Sequence, residues 1–154
     1  MSAEAAEVLI VEDSPSDAEL TVRALRRFNL SSRVRVVESG ADALDYVFAR
    51  GAYAGRDQRP PRLVLLDLKL RKVSGLEVLG QLRAAPETRL VPVVMFTSSR
   101  EQGDVEPCWL AGANSYVAKP VNADAFEETV AAIGHYWLVL NRLPPDSPAA
   151  EAGG

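Results

Sequence analysis

Six polar residues of this chain follow directly on short apolar runs. Glu12 and Asp13 come after Val8-Leu9-Ile10-Val11, and Asp67 after Leu63-Val64-Leu65-Leu66. Thr97 and Ser98 come after Val93-Val94-Met95-Phe96, and Lys119 after Tyr116-Val117-Ala118. Three carboxylates brought into one crevice repel each other, and the usual remedies are protonation or a hard divalent cation. Magnesium favours carboxylate and carbonyl oxygens and keeps several waters, which leaves room for a phosphoryl group. One lysine cannot neutralise three acids, but it can pair with one acid or with a phosphoryl oxygen. A threonine hydroxyl can donate to another. Such a set suits phosphoryl transfer onto a carboxylate, catalysed by positioning and charge neutralisation.

The elements that bring these residues together can be read from the pattern around them. Continuous apolar runs of four suit strands buried on both faces of a parallel sheet. A fifth segment, Arg33-Val34-Arg35-Val36-Val37, begins by alternating charge and Val, as a half-exposed edge strand does. Amphipathic stretches separate the strands. Ser14-Pro15-Ser16-Asp17 opens a helix with a capping serine and a proline at its first position, and Ala18, Val22, Leu25 and Phe28 share one face. Ser39-Gly40-Ala41-Asp42 opens the second, with Leu44, Val47 and Phe48 inward. Ser74-Gly75-Leu76-Glu77 is a capping box opening the third, which carries Val78, Leu79 and Leu82 inward. A fourth helix is expected from near Ser99, burying Val105, Cys108 and Trp109 and stopping at Gly112. The last starts after Asn122, with Phe126, Val130, Ile133, Trp137 and Leu140 on its inner stripe.

Five strand–helix units in succession predict an α/β fold: a flavodoxin-like (βα)5 doubly wound parallel sheet, strand order 2-1-3-4-5. In such sheets ligands bind at the carboxyl ends of the strands, where all six polar residues fall. Residues 51–62 hold two Pro, two Gly and three Arg and read as a surface loop. Residues 1–6 are expected to be a flexible N-terminus, 7–142 the one domain, and 143–154 a disordered Pro/Gly-rich tail.

Composition narrows the function classes. The chain has 154 residues, one domain's worth, with a formal net charge of −4. An acidic balance argues against nucleic acid or an anionic membrane as main partner, because both need a basic face. A single cysteine, Cys108, allows no internal disulfide and no thiolate zinc cage, and it reads as a small buried hydrophobe. A single histidine, His135, is left without a catalytic role. No apolar run reaches the ~20 residues of a membrane span. The acidic Met1 to Glu7 lacks a signal peptide's basic start, so the expected compartment is the cytoplasm.

Val11-Glu12-Asp13-Ser14-Pro15, Leu65-Leu66-Asp67-Leu68, Thr97-Ser98 and Ala118-Lys119-Pro120 together resemble the receiver domain of bacterial two-component response regulators. The likeness covers about residues 7–140, with Thr97 and Lys119 lying 30 and 52 residues beyond Asp67. It implies that Asp67 is the phospho-accepting aspartate and that Glu12 and Asp13 hold magnesium. Asp67 itself and the backbone carbonyl of Lys69 are implied as further metal ligands. Thr97 matches the hydroxyl that swings toward the phosphoryl group, Ser98 the small residue that leaves access, and Lys119 the phosphate-pairing lysine. The Lys119–Pro120 bond is expected to be cis. Tyr116 stands at the aromatic switch position, whose ring turns inward when Thr97 moves. Arg71 stands where the family usually has Pro, and Ser74 where it has an acid or Asn. These departures, with Lys69, bear on dephosphorylation rate rather than on the reaction.

A narrower resemblance is to stand-alone regulators of the cyanobacterial phytochrome type. It rests on the long segment before the third strand, on Ala113-Asn114-Ser115-Tyr116, and on the aromatic Tyr136-Trp137-Leu138-Val139-Leu140-Asn141. It implies a sensor histidine kinase as partner, of phytochrome type, with output by protein–protein interaction. Tyr136 and Val139 lie beside the last helix's inner stripe, which suggests a homodimer through the fourth and fifth helices. The short, Pro-rich tail is expected to carry no output domain.

Each residue has a plainer reading. Asp67 alone could cap a helix, Glu12 and Asp13 could favour a helix's positive end, and Thr97 and Ser98 are good caps. Lys119 could be a solvated lysine. The four motifs in order outweigh these readings. A haloacid-dehalogenase-like phosphatase also uses an Asp nucleophile and magnesium, but it needs a second acid where Lys69 stands. A flavin-binding module would have a phosphate-binding loop rich in Ser, Thr or Gly after the first strand, where Glu12-Asp13 would repel phosphate. A degenerate receiver that signals without phosphorylation would not need the intact set.

Overall fold

The computed structural model describes residues 6–31 and 33–145. Its elements are β1 (Val8–Val11), α1 (Pro15–Arg27), β2 (Val34–Val37), α2 (Gly40–Val47), β3 (Leu63–Leu66), α3 (Gly75–Ala84), β4 (Val93–Thr97), α4 (Gln102–Leu110), β5 (Ser115–Ala118) and α5 (Ala123–His135). The five strands form one parallel sheet in the order β2-β1-β3-β4-β5, as the alternation predicts. The sequence switches direction at β1, which pairs Val8 with both Val34 and Leu63.

Alternation along each central strand divides the core into two layers. Leu9, Val11, Val64, Leu66, Val93 and Met95 face α2, α3 and α4, where Ala43, Leu44, Val78, Leu79, Leu82 and Cys108 meet them. Val8, Ile10, Leu63, Leu65, Val94 and Phe96 face α1 and α5, where Ala24, Leu25, Phe126, Val130 and Ile133 pack. Fully burying a side chain of this size is worth about 1.5–3 kcal/mol, so the central strands anchor the fold. The sheet's two edges are wetter. β2 is half-exposed as its alternation predicts, and β5 is half-buried along its whole length, although its apolar run reads as fully buried. Its place at the end of the strand order is the reason.

Four of the five predicted helix starts hold. Ser14 Oγ accepts from Asp17 N, Ser39 Oγ from Asp42 N, Ser74 Oγ from Glu77 N and Asn122 Oδ1 from Ala125 N. Several inward assignments do not hold. α1 ends at Arg27, so Phe28 is its C-cap and lies 45% exposed, and Ala18, Thr21, Ala24 and Leu25 form the buried face. α4 starts at Gln102, with residues 99–101 in the preceding loop, and buries only Cys108. Val105 is half-buried, and Trp109, one residue and about 100° round from Cys108, is 51% exposed. After α5 the chain makes a π-helical turn, Tyr136–Leu140, in which Asn141 N bonds Tyr136 O five residues back at 2.6 Å. The extra residue shifts the inner stripe, so Leu138 is buried in place of Trp137, which is half-buried, and Leu140, which is exposed.

The segment 51–62 is not simply a surface loop. It opens with a short 3-10 turn, Gly51–Tyr53, and buries Arg56, Pro60 and Pro61. The Arg56 guanidinium lies over the Tyr46 ring and donates to the carbonyls of Tyr46, Val47, Asp57 and Arg59. It therefore caps the negative end of α2, where carbonyls lack helical partners. No helix among the described residues is long and apolar enough to cross a membrane. The expected tail falls mostly outside the described residues, beyond 145, as does most of the expected flexible N-terminus.

Candidate functional site

The sheet places the polar residues by continuing its ladder one bond past each strand. Glu12 N donates to Val37 O at 3.0 Å, Asp67 N to Val11 O at 3.1 Å, and Lys119 N to Thr97 O at 2.8 Å. Three separate strand ends are thereby fixed at one edge. The connection after Asp67 is drawn in tightly: Gly75 N donates to Leu68 O at 2.8 Å. A Cβ on Gly75 would stand 2.1 Å from Asp67 O, so only glycine fits at the start of α3.

Glu12, Asp13 and Asp67 each offer a carboxylate oxygen, all within 4.8 Å of one another. The Lys119 ammonium sits among acids. It donates to Glu12 Oε1, to Asp17 Oδ2 at 3.0 Å and to Asp67 Oδ2 at 3.0 Å. Glu12 Oε2 also accepts from Ser14 N at 3.0 Å. Glu12, Asp67, Thr97 and Lys119 are all buried, and Asp13 is half-buried.

Burial raises the Glu12 carboxyl to about 7, with the Asp67 charge adding to it, and bonds from Lys119 and Ser14 only partly offset this. Burial also works against charge on Lys119, but its bonds to Glu12 and Asp17 and the attraction of Asp67 outweigh it and hold the ammonium above its usual range. One lysine shared by several acids leaves net negative charge. A cluster of hard oxygen donors with uncompensated charge fits a divalent cation.

An open cleft of about 400 Å³ adjoins the cluster, lined by Asp67, Lys69, Thr97, Ser98, Ser99, Arg100 and Glu101. Asp67, Thr97 and Ser98 thus share one cavity, with the exposed Lys69 at its rim. Thr97 Oγ1 accepts from Ser99 N at 3.5 Å, and Tyr116 Oη donates to Ser99 O at 3.0 Å. Tyr116 therefore lies outside the acid cluster and is linked to Thr97 through Ser99. Its ring is half-buried, and burial raises its hydroxyl above the usual value. The Lys119–Pro120 bond is trans, contrary to the sequence expectation. Trans is favoured by about 0.5–1 kcal/mol before proline, and with it Lys119 already reaches its acids.

Asp17 is the residue that sequence reasoning missed. Its type and place signal a first-turn acid at a helix's positive end, and the fold turns its side chain to Lys119 instead. The sequence marks Ser99 only as a helix start. Outside the cluster, Cys108 is fully buried as expected, with burial pushing its thiol up, and His135 is exposed.

Comparisons with known proteins agree with this geometry. A family model described as the response regulator receiver domain matches residues 8–131. Response regulator Rcp1 of Synechocystis sp. is 31% identical over 137 residues, covering 89% of this chain and 92% of Rcp1. The crystal structure of its Mn(2+)-bound form superposes with a TM-score of 0.82, covering 89% of this chain and 97% of that one. The phosphorylated cyanobacterial phytochrome response regulator RcpA gives a TM-score of 0.84 at 30% identity, covering 94% of this chain and 99% of that one. The bacteriophytochrome response regulator RtBRR is 46% identical with a TM-score of 0.72, covering 99% of this chain and 90% of that one.

Proposed function

This chain belongs to the response regulator receiver domain family, and from that premise we propose that it is a stand-alone, magnesium-dependent receiver that takes a phosphoryl group on Asp67 from a sensor histidine kinase. The observation that carries the reading is the Lys119 ammonium 3.0 Å from Asp67 Oδ2, beside three clustered carboxylates. The likeness to RcpA, a phosphorylated response regulator, and to the Mn(2+)-bound Rcp1 supports it.

In this reading an Asp67 carboxylate oxygen attacks the phosphorus of a phosphohistidine. The phosphorus–nitrogen bond breaks, its electron pair stays on the donor imidazole, and a phosphorus–oxygen bond to Asp67 forms. Glu12, Asp13, Asp67 and the Lys69 carbonyl would hold Mg2+, which when bound neutralises charge on the phosphoryl oxygens. Lys119 donates to one phosphoryl oxygen. Thr97 turns its hydroxyl to another, and Ser98 is small enough to leave the acceptor open. Water later attacks the phosphorus, releasing inorganic phosphate and restoring the Asp67 carboxylate. As Thr97 turns it leaves Ser99 N, and the Tyr116 bond to Ser99 O is disturbed with it, so α4 and β5 present a changed face.

That face then binds a partner protein or a second copy. The exposed Trp109 and Leu110 on α4 and Tyr136, Val139 and Leu140 after α5 support a homodimer through α4 and α5. Sedimentation with and without beryllofluoride tests it, and a monomer at micromolar concentration in both refutes it. The likeness to RcpA and RtBRR supports a phytochrome-type kinase as partner, and membership of the receiver family is consistent with the cytoplasm as compartment. Transfer from an autophosphorylated phytochrome-type kinase tests the main reading. Label should move from kinase to the wild-type chain and stay on the kinase with Asp67→Asn; label that never leaves the kinase contradicts it.

A further inference from the structure

We propose that Asp17 is a positioning residue that competes with the phosphoryl group for Lys119 and so slows phosphoryl acceptance at Asp67. The proposal rests on Asp67 being the acceptor. A lysine ammonium has three N–H donors and no more. Here Glu12 Oε1, Asp17 Oδ2 and Asp67 Oδ2 take them all. A phosphoryl group arriving on Asp67 brings new anionic oxygens, and Lys119 can serve one only by releasing a present partner.

Burial decides which partner yields. The Glu12 side chain is 6% exposed and is held at its other oxygen by Ser14 N. The Asp67 side chain, 11% exposed, is the acceptor itself. The Asp17 side chain is 29% exposed, so it alone can recover water when the bond breaks. Each phosphorylation event must therefore break the Asp17–Lys119 bond. That bond also ties the first turn of α1 to the connection between β5 and α5, two elements whose helices already pack together. The backbone of Asp17 is fixed independently of its carboxylate, because its N–H bonds Ser14 Oγ and its carbonyl accepts from Thr21 Oγ1 at 2.8 Å. Changing the side chain thus leaves the helix start in place.

The test is the rate of phosphorylation by acetyl phosphate with Mg2+, measured to saturation for the wild type, Asp17→Asn, Asp17→Ala and Glu19→Gln. Glu19 is an exposed acid on the same helix and controls for loss of charge alone. The proposal predicts a maximal rate about two- to five-fold higher in Asp17→Asn, the scale of a partly exposed ion pair, and at least as high in Asp17→Ala. It predicts no change in Glu19→Gln. Beryllofluoride, which occupies the phosphoryl position without chemistry, should bind the Asp17 variants tighter by a similar factor. Unchanged or slower phosphorylation in both Asp17 variants overturns the proposal, as does an equal gain in Glu19→Gln. Failure of the wild type to be labelled overturns instead the assignment of Asp67, and the proposal with it.

Discussion

Two glycines in one helix should respond in opposite senses to the same substitution. Gly75 opens α3 against the backbone of Asp67, and Gly80 lies five residues on, exposed, with nothing within 4 Å of an added Cβ. At Gly75 the added methyl would stand 2.1 Å from Asp67 O and 2.9 Å from Leu68 Cα. Restoring even the tightest spacing real Cβ atoms show, 3.0 Å, requires a parting of about 0.9 Å between two backbone segments. The Gly75 N bond to Leu68 O, 2.8 Å long, resists that movement. Overpacking of this kind costs about 1–3 kcal/mol, while alanine in an exposed helix interior gains up to about 1 kcal/mol over glycine. Gly75→Ala should therefore be less stable than Gly80→Ala by about 2–4 kcal/mol, read from urea midpoints at constant slope. Because the strain falls on Asp67, Gly75→Ala should also accept phosphoryl more slowly than Gly80→Ala under conditions where both are folded. Equal stability of the two variants would falsify the close approach of α3 to Asp67.

Other consequences follow from single groups. The Glu12 carboxyl titrates at about 7 in the folded chain and near 4.5 when unfolded, so the folded chain holds a proton that the unfolded chain releases between them. The metal-free protein should lose up to about 3 kcal/mol of stability as pH rises through that window, and Glu12→Gln should flatten the loss. If Mg2+ is held by the ionised form, as proposed, it should raise the melting temperature more at about pH 7.5 than at about pH 5.5; a gain independent of pH contradicts this. Arg56 holds four carbonyls with a planar fork that lysine lacks. Arg56→Lys should cost about 1–3 kcal/mol in urea unfolding while phosphorylation persists, and an unchanged midpoint would show that the segment 51–62 is held by other contacts.

Much of the fold is legible because burial on both faces leaves an unmistakable run of aliphatic residues, and serine or asparagine caps mark where four of the five strands hand over to a helix. The acid cluster was legible for the same reason: Glu12, Asp67 and Lys119 each stand one residue past a strand, where the ladder's next bond fixes them. What escaped depends on geometry that composition does not carry. The π turn adds one residue without changing the apolar content of Tyr136–Leu140, so Leu138 could not be told from Trp137 as the buried position. Arg56 stands among Pro, Gly and charged residues, and its burial comes from free carbonyls at the end of α2. Asp17 satisfies the local rule for a first-turn acid, which hides its reach to a lysine more than 100 residues away.

The most direct test is the intact mass of the purified chain after incubation with acetyl phosphate. With Mg2+ the wild type should gain one phosphoryl group, lost again on standing, and it should gain none when the metal is chelated. Asp67→Asn, which keeps the shape and removes the nucleophilic carboxylate, should gain none in either case. Equal incorporation into Asp67→Asn would contradict the assignment of Asp67 and the site built around it.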